Sequence, residues 1–148
     1  MRETRITDPV IGELKWEGDR WTGELRLSPR RKTEINISVP DDSEEVPDAA
    51  RERFAWIMAN EKRLRLAVAE RMRGDVWSDD PEDTSLSAEQ FAERIVAENI
   101  DLLAEPKSSE EGAIDFSMWY DDDMLFGGHV LISDFTKDGE LLKVEVHG

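Results

Sequence analysis

The chain has 148 residues, no Cys, 36% charged and 39% hydrophobic side chains, and this suits one domain over residues 1–148 with one core. Its 35 acidic and 19 basic residues give a net charge of −16, split as −1 over residues 1–75 and −15 over residues 76–148. These numbers exclude a disulfide scaffold and a Cys-ligated zinc site, and they disfavour nucleic acid as a partner, because phosphate neutralisation needs Lys and Arg that the second half lacks. No apolar run approaches the ~20 residues of a membrane span, and Met1 to Ile6 lacks the apolar core of a secretory signal, so a cytoplasmic protein without membrane association is expected.

Residues 8–39 read as strands. Val10 to Trp16 and Trp21 to Leu27 flank the polar connector Glu17-Gly18-Asp19-Arg20, which has hairpin length. In Thr33 to Val39, Ile35, Ile37 and Val39 alternate with Glu34, Asn36 and Ser38, giving one apolar and one wet face. The stretch Pro40 to Glu45 has nothing to bury and reads as a loop.

At Asp48 the period becomes helical. Pro47 precedes a cap at Asp48, and Phe54, Ile57, Met58, Leu64, Val68 and Met72 recur at helical spacing until Gly74, a helix of roughly 25 residues. Its other faces carry Arg51, Arg53, Lys62, Arg63, Arg65, Arg71 and Arg73, while Glu61 falls on the apolar stripe. Residues 75–85 form an acidic linker that Trp77 is placed to pin to the body. Ser87 and Gln90 make the S-x-x-Q capping box of a second helix, reaching about Ala97.

Ile100, Leu102 and Ala104 then alternate with polar or outward positions; the run fits a strand and, being short, also fits a continued helix. Lys107 to Gly112 reads as a turn. Ile114 to Tyr120, Val130 to Ser133 and Leu142 to Val146 read as strands. The expected class is α+β, order β-β-β-α-α-β-β-β, with a largely antiparallel sheet and two helices on one face.

The run Trp119-Tyr120-Asp121-Asp122-Asp123-Met124-Leu125-Phe126-Gly127-Gly128-His129-Val130 is the most distinctive in the sequence. It resembles the C-terminal motif of a family of small bacterial domains of unknown function, in which an aromatic is followed by paired acids, Leu-Phe, Gly-His and a final strand pair ending in Gly. Asp121, Asp122, Leu125, Phe126, Gly128, His129 and Gly148 fit that pattern, whereas Asp123, Met124 and Gly127 stand where the family has a Gly, an acid and an aromatic. Asp8 to Leu14 resembles the family's first strand. The resemblance implies a bacterial source and a stand-alone domain, and it implies no reaction.

Asp121, Asp122, Asp123 and His129 could supply ligands to a divalent cation, or His129 could act as a base oriented by Asp121. Against this stands the ordinary use of Asp in turns and of Gly127-Gly128 where the chain reverses. There is no zincin motif, EF-hand loop, phosphate-binding loop or nucleophile elbow, so no catalytic residue and no cofactor is expected. Trp56 and Trp77 are candidate interface anchors. The leading expectation is a non-enzymatic protein-binding domain, in the manner of an immunity protein, that meets a basic toxin through its acidic C-terminal half, with Asp121, Asp122, Asp123, Phe126, His129 and Trp77 at the contact. Two alternatives remain: a metal-binding or hydrolytic enzyme centred on Asp121–His129, and self-association of the Arg-rich helix with the acidic sheet of a second copy.

Overall fold

The structure is a computed structural model and describes residues 4–148. Eight strands form one sheet in sequence order: β1 (Arg5–Asp8), β2 (Gly12–Trp16), β3 (Arg20–Ser28), β4 (Arg31–Ser38), β5 (Val96–Ser109), β6 (Gly112–Asp121), β7 (Val130–Phe135) and β8 (Leu141–His147). Every neighbouring pair is antiparallel except β4 and β5. A parallel pair needs a crossover, and residues 39–95 supply it with the helices α1 (Asp48–Met72), α2 (Pro81–Thr84) and α3 (Ala88–Arg94). The α+β class and largely antiparallel sheet hold, with four strands rather than three before the helices and four after.

The differences have local causes. Asp8 is buried and accepts hydrogen bonds from the amides of Val10 and Ile11, so Pro9 to Ile11 is a turn and a separate β1 precedes it. The second helix keeps its capping box, with Gln90 N donating to Ser87 Oγ and Ser87 N to Gln90 Oε1, but stops at Arg94. Val96 and Ala97 already pair with Asp121 and Tyr120, because a β-branched Ile95-Val96 can fill the core from an extended backbone. The run at Ile100 is therefore strand, and β5 continues through Lys107 to Ser109, leaving only Glu110 and Glu111 for the turn. The N-cap of α1 is Pro47, without a side-chain cap, and Asp48 pairs with Arg51 at 2.8 Å instead.

α1 and α3 cover one face. Phe54, Ile57, Leu64 and Val68 of α1 and Phe91 of α3 are buried in one core with Ile35, Ile37, Ile100, Leu102, Phe116, Met118, Leu131 and Phe135 of the sheet. Tyr120 is also fully buried; its hydroxyl has no hydrogen-bond partner, and burial pushes its pKa well above the usual phenol value. Glu61, on the apolar stripe, is neutralised by Arg65 Nε at 3.1 Å, whose Nη1 reaches Ala92 O.

The Arg-rich helix faces the acidic half of the same chain. Arg53 pairs with Asp115 at 2.8 Å and lies over the rings of Trp56 and Phe116, Arg71 reaches the carbonyls of Leu141 and Leu142, and Arg63 that of Asp138. Trp56 packs over Gly139, whose φ of +81° suits the β7–β8 turn and whose α-hydrogen side leaves no room for a Cβ. Trp56 is thus a packing residue. Among the described residues no helix is long and apolar enough to cross a membrane.

Asp8 sets an acid limit. Burial opposes its ionisation, but the amides of Ile11 and Val10 and the Arg51 guanidinium at 2.6 Å outweigh that and hold its pKa below the ordinary 3.8. The stabilisation is complete above pH 3.8 and is lost as pH falls through the lower folded-state value. Urea denaturation from pH 5 downward should show this loss, and Asp8→Asn should be less stable at pH 5 with a flatter acid limb.

Candidate functional site

The β6–β7 loop is organised by one carboxylate. Asp122 is fully buried. Its Oδ2 accepts from the amides of Phe126 at 2.8 Å, His129 at 3.0 Å and Gly128 at 3.1 Å, and its Oδ1 from Met124 at 3.1 Å. Four donors converge because Asp123, Met124, Gly127 and Gly128 all have positive φ, between 48° and 85°. Such a curl turns successive N–H groups inward, and Gly at 127 and 128 accepts that backbone without a Cβ penalty. Asp122 therefore works as an anchor for the loop, and both of its oxygens are taken.

Its neighbours are neutralised from other elements. Asp123 forms an ion pair with Arg94 at the end of α3, and Arg94 also donates to Asp123 O at 3.0 Å and to Asp83 Oδ1 at 2.9 Å. These two carboxylates raise the Arg94 pKa further. Asp121 lies 3.9 Å from Arg31, which pairs more closely with Glu98 at 3.0 Å. The three consecutive acids thus point to three different surroundings. Among the described residues no group of three or more His, Asp or Glu side chains is arranged to hold a metal ion.

Phe126 is fully buried under the loop and Trp77 lies over it, ring centroids 5.7 Å apart and edge-on. Trp77 also meets the His129 ring at 5.2 Å, and its amide donates to Leu125 O at 3.0 Å, so the acidic linker is pinned to the loop. His129 Nδ1 is buried without a hydrogen-bond partner, which leaves the ring oriented by the Trp77 edge contact. Despite this packing, Trp77 is 58% exposed, and Met124 of the β6–β7 loop is 65% exposed. Residues 75–83, around Trp77, include five acids and no base. Of the sequence-predicted site residues, Trp77, Phe126 and His129 come together in one cluster. Asp122 lies inside it, Asp123 ties it to α3, and Asp121, the last residue of β6, lies toward Arg31 instead. Sequence reasoning missed Met124 and Arg94; the signal for Arg94 was its rarity, one of four bases after residue 75.

Among the described residues no element covers the sheet face opposite the helices. One row of register partners crosses it from Lys15 through Thr22, Asn36, Asp101, Ser117 and Asp134 to Lys143. Two hydrogen bonds cross strands here, Asn36 Nδ2 to Asn99 Oδ1 at 2.6 Å and Ser117 Oγ to Asp134 Oδ1 at 2.6 Å, and a third runs along β5 from Asn99 Nδ2 to Asp101 Oδ1 at 2.9 Å. Burial raises the pKa of Asp101, and Asp134 adds to this against the lowering effect of Asn99 and Arg20. Burial likewise raises Glu98, which Arg31 only partly offsets. On β8, His147 and Lys143 lower the Glu145 carboxyl to about 2.

A family model described as an uncharacterized protein conserved in bacteria (DUF2262) matches residues 8–146, nearly the whole chain, and the chain belongs to that family. No curated protein matches the chain. No solved structure matches it either.

Two substitutions separate the anchor from the open face. Asp122→Ala strands four inward amides and should lower the unfolding free energy by about 3 kcal/mol in urea titrations. Asp101→Asn keeps the acceptor for Asn99 and removes a carboxylate whose ionisation burial disfavours. A raised folded-state pKa weakens the fold above it, so this variant should be more stable than the parent at pH 7, with the difference shrinking as pH falls toward 3.8.

Proposed function

We propose that this member of the DUF2262 family is a non-enzymatic protein-binding domain whose contact surface is the Trp77–Met124 knob and the acidic residues around it. The observation that carries this reading is the exposure of Met124, on a loop that four hydrogen bonds to Asp122 hold in place, and of Trp77, which the linker after α1 packs against that loop. A large apolar side chain held rigidly in solvent loses little freedom on binding and suits an interface anchor. Two consecutive non-glycine residues at positive φ, Asp123 and Met124, add a conformational cost to a loop that displays one of them outward.

The rim selects the partner. Asp75, Asp79, Asp80 and Glu82 lie within seven positions of Trp77 on either side and have no ion-pair partner among the described residues, whereas Asp83 and Asp123 are satisfied by Arg94. This surface suits a basic protein that brings Lys or Arg around an apolar spot. A toxin that acts on nucleic acid has such a surface, because it must neutralise phosphates, and blocking it is the work of an immunity protein. We also read the run Trp119 to Val130 as a family signature, since its Asp122, Gly127-Gly128 and His129 make the knot that supports the knob. A cytoplasmic location accords with this reading.

Most arginines of α1 already serve contacts within the chain, which favours a foreign partner over a second copy. The test is to co-purify the tagged chain with the product of the reading frame adjoining its gene. Binding should be strong at about 50 mM salt and weak at about 500 mM, where exposed charges are screened. Trp77→Ala and Met124→Ala should each weaken it about tenfold or more at unchanged fold stability. A complex indifferent to salt and to both substitutions would refute the proposal.

A further inference from the structure

The uncovered sheet face holds a separate feature. Above β3 to β6 lies an open depression of about 780 Å³ lined by Asn36, Asn99, Asp101 and Trp119 at its floor and by charged side chains at its walls. A second depression of about 1180 Å³ adjoins it toward β1, and the two share Arg20, Glu24, Glu34 and Asn36. We propose that this dish binds an uncharged polyhydroxylated ligand of the saccharide class, laid across the strands on Trp119 and the Asn36–Asn99–Asp101 array.

The charges argue for a neutral ligand. The smaller depression has three cations and four carboxylates in its lining, and most of them face each other: Arg31 with Glu98 at 3.0 Å and Lys32 with Glu24 at 3.3 Å. An anionic ligand meets no unopposed cation cluster, and a strongly basic one meets an excess of a single carboxylate. This differs from the Trp77 rim, where the acids stand unpaired.

The floor has the geometry that hydroxyl recognition needs. The chain of hydrogen bonds from Asn36 through Asn99 to Asp101 fixes three planar groups in orientation, yet leaves Asn36 Oδ1 and Asp101 Oδ2 as acceptors and one N–H of each amide as a donor. Adjacent donors and acceptors held at fixed spacing match vicinal hydroxyls, each of which gives and takes a hydrogen bond. Asp101 is partly withdrawn from water, and a ligand hydroxyl would supply a donor to its Oδ2 beside the one that Asn99 gives to Oδ1. Trp119 is the register partner of Asn99 and makes no ring contact with another aromatic among the described residues. Its Nε1 is closed off from solvent and makes no hydrogen bond, so the indole offers the depression its apolar surface and not its donor. The C–H face of a sugar ring packs on such a surface. The two adjoining depressions form a broad polar trough, unlike the enclosed apolar cavity that suits a compact ligand, and a trough takes an extended oligomer.

The experiment is a ¹H–¹⁵N NMR titration of the full chain with chitotetraose, cellotetraose and maltotetraose, each to about 10 mM. The proposal expects saturable shifts, with at least one sugar, of the Trp119 indole N–H and of the amides around Asn36, Asn99 and Asp101. Asp101→Ala should weaken that binding about tenfold while leaving the remaining spectrum folded. Trp119→Leu, which fills the space without an aromatic face, should weaken it similarly; if it does not fold, Asp101→Ala carries the test. Absence of saturable shifts with all three sugars, shifts confined to the Trp77–Met124 loop, or binding unchanged in Asp101→Ala would each overturn the proposal. None of these outcomes bears on the basic protein partner, which is read at another face.

Discussion

The buried carboxylate of Asp122 is the point from which the functional end of the molecule is built. A carboxyl group withdrawn from water must find hydrogen-bond donors, and here they are four backbone amides among the following seven residues. That requirement dictates the backbone: only a curl through positive φ at Asp123, Met124, Gly127 and Gly128 brings the amides to one place. Once the loop is fixed, it supplies docking points to the rest. Leu125 O receives the Trp77 amide, Asp123 receives Arg94, and Arg94 holds Asp83 of α2. The long linker after α1 is thereby ordered without a hydrophobic core of its own.

This arrangement changes the meaning of the charge asymmetry. Along the chain, a near-neutral half precedes a half of −15. In space the two interleave, because the parallel pairing of β4 with β5 seats α1 across the second-half strands. Arg53 then meets Asp115, Arg31 meets Glu98 and Asp121, and the guanidinia of Arg63 and Arg71 cover carbonyls at the β7–β8 end. Much of the apparent field is internal. Of the second-half acids without an ion pair among the described residues, Asp79, Asp80 and Glu82 lie beside Trp77, while Glu89, Glu93, Glu105, Glu110, Glu111, Asp138 and Glu140 are exposed elsewhere on the surface.

The parts of the fold that were legible in the sequence are those written in periodicity. The alternation of Ile35 and Ile37 with Glu34 and Asn36 survives as the two faces of β4, and the stripe of Phe54, Ile57, Leu64 and Val68 as the buried side of α1. The Ser87-Gln90 box stands because both its bonds are local. What periodicity cannot express is long-range. β1 depends on an Asx turn at Asp8 that is completed by Arg51, 43 residues away. The end of α3 is decided by pairing with β6, not by a stop signal at Ala97. The three aspartates at 121–123 read as one group in sequence, yet one is an anchor and the others answer to Arg31 and Arg94, which no local pattern relates to them.

The open face was illegible for a related reason. Asn36, Asn99, Asp101 and Trp119 each occupy the polar phase of their own strand, where any hydrophilic residue would satisfy the alternation. Only the register aligns Asn36 with Asp101 and Asn99 with Trp119. A solvated face needs no hydrogen-bonded relay across β4 and β5, and it needs no residue as apolar as Trp119 placed where no helix covers it. Three polar residues there, Asn99, Ser117 and Asp134, are nonetheless buried, so the side chains of this face shield one another from water. Their mutual bonds keep the cost of that burial low while the ring remains at the floor of the depression. The two faces of one sheet are thus specified by different physics: the helix side by apolar area, and the open side by directional bonds whose partners come from separate strands.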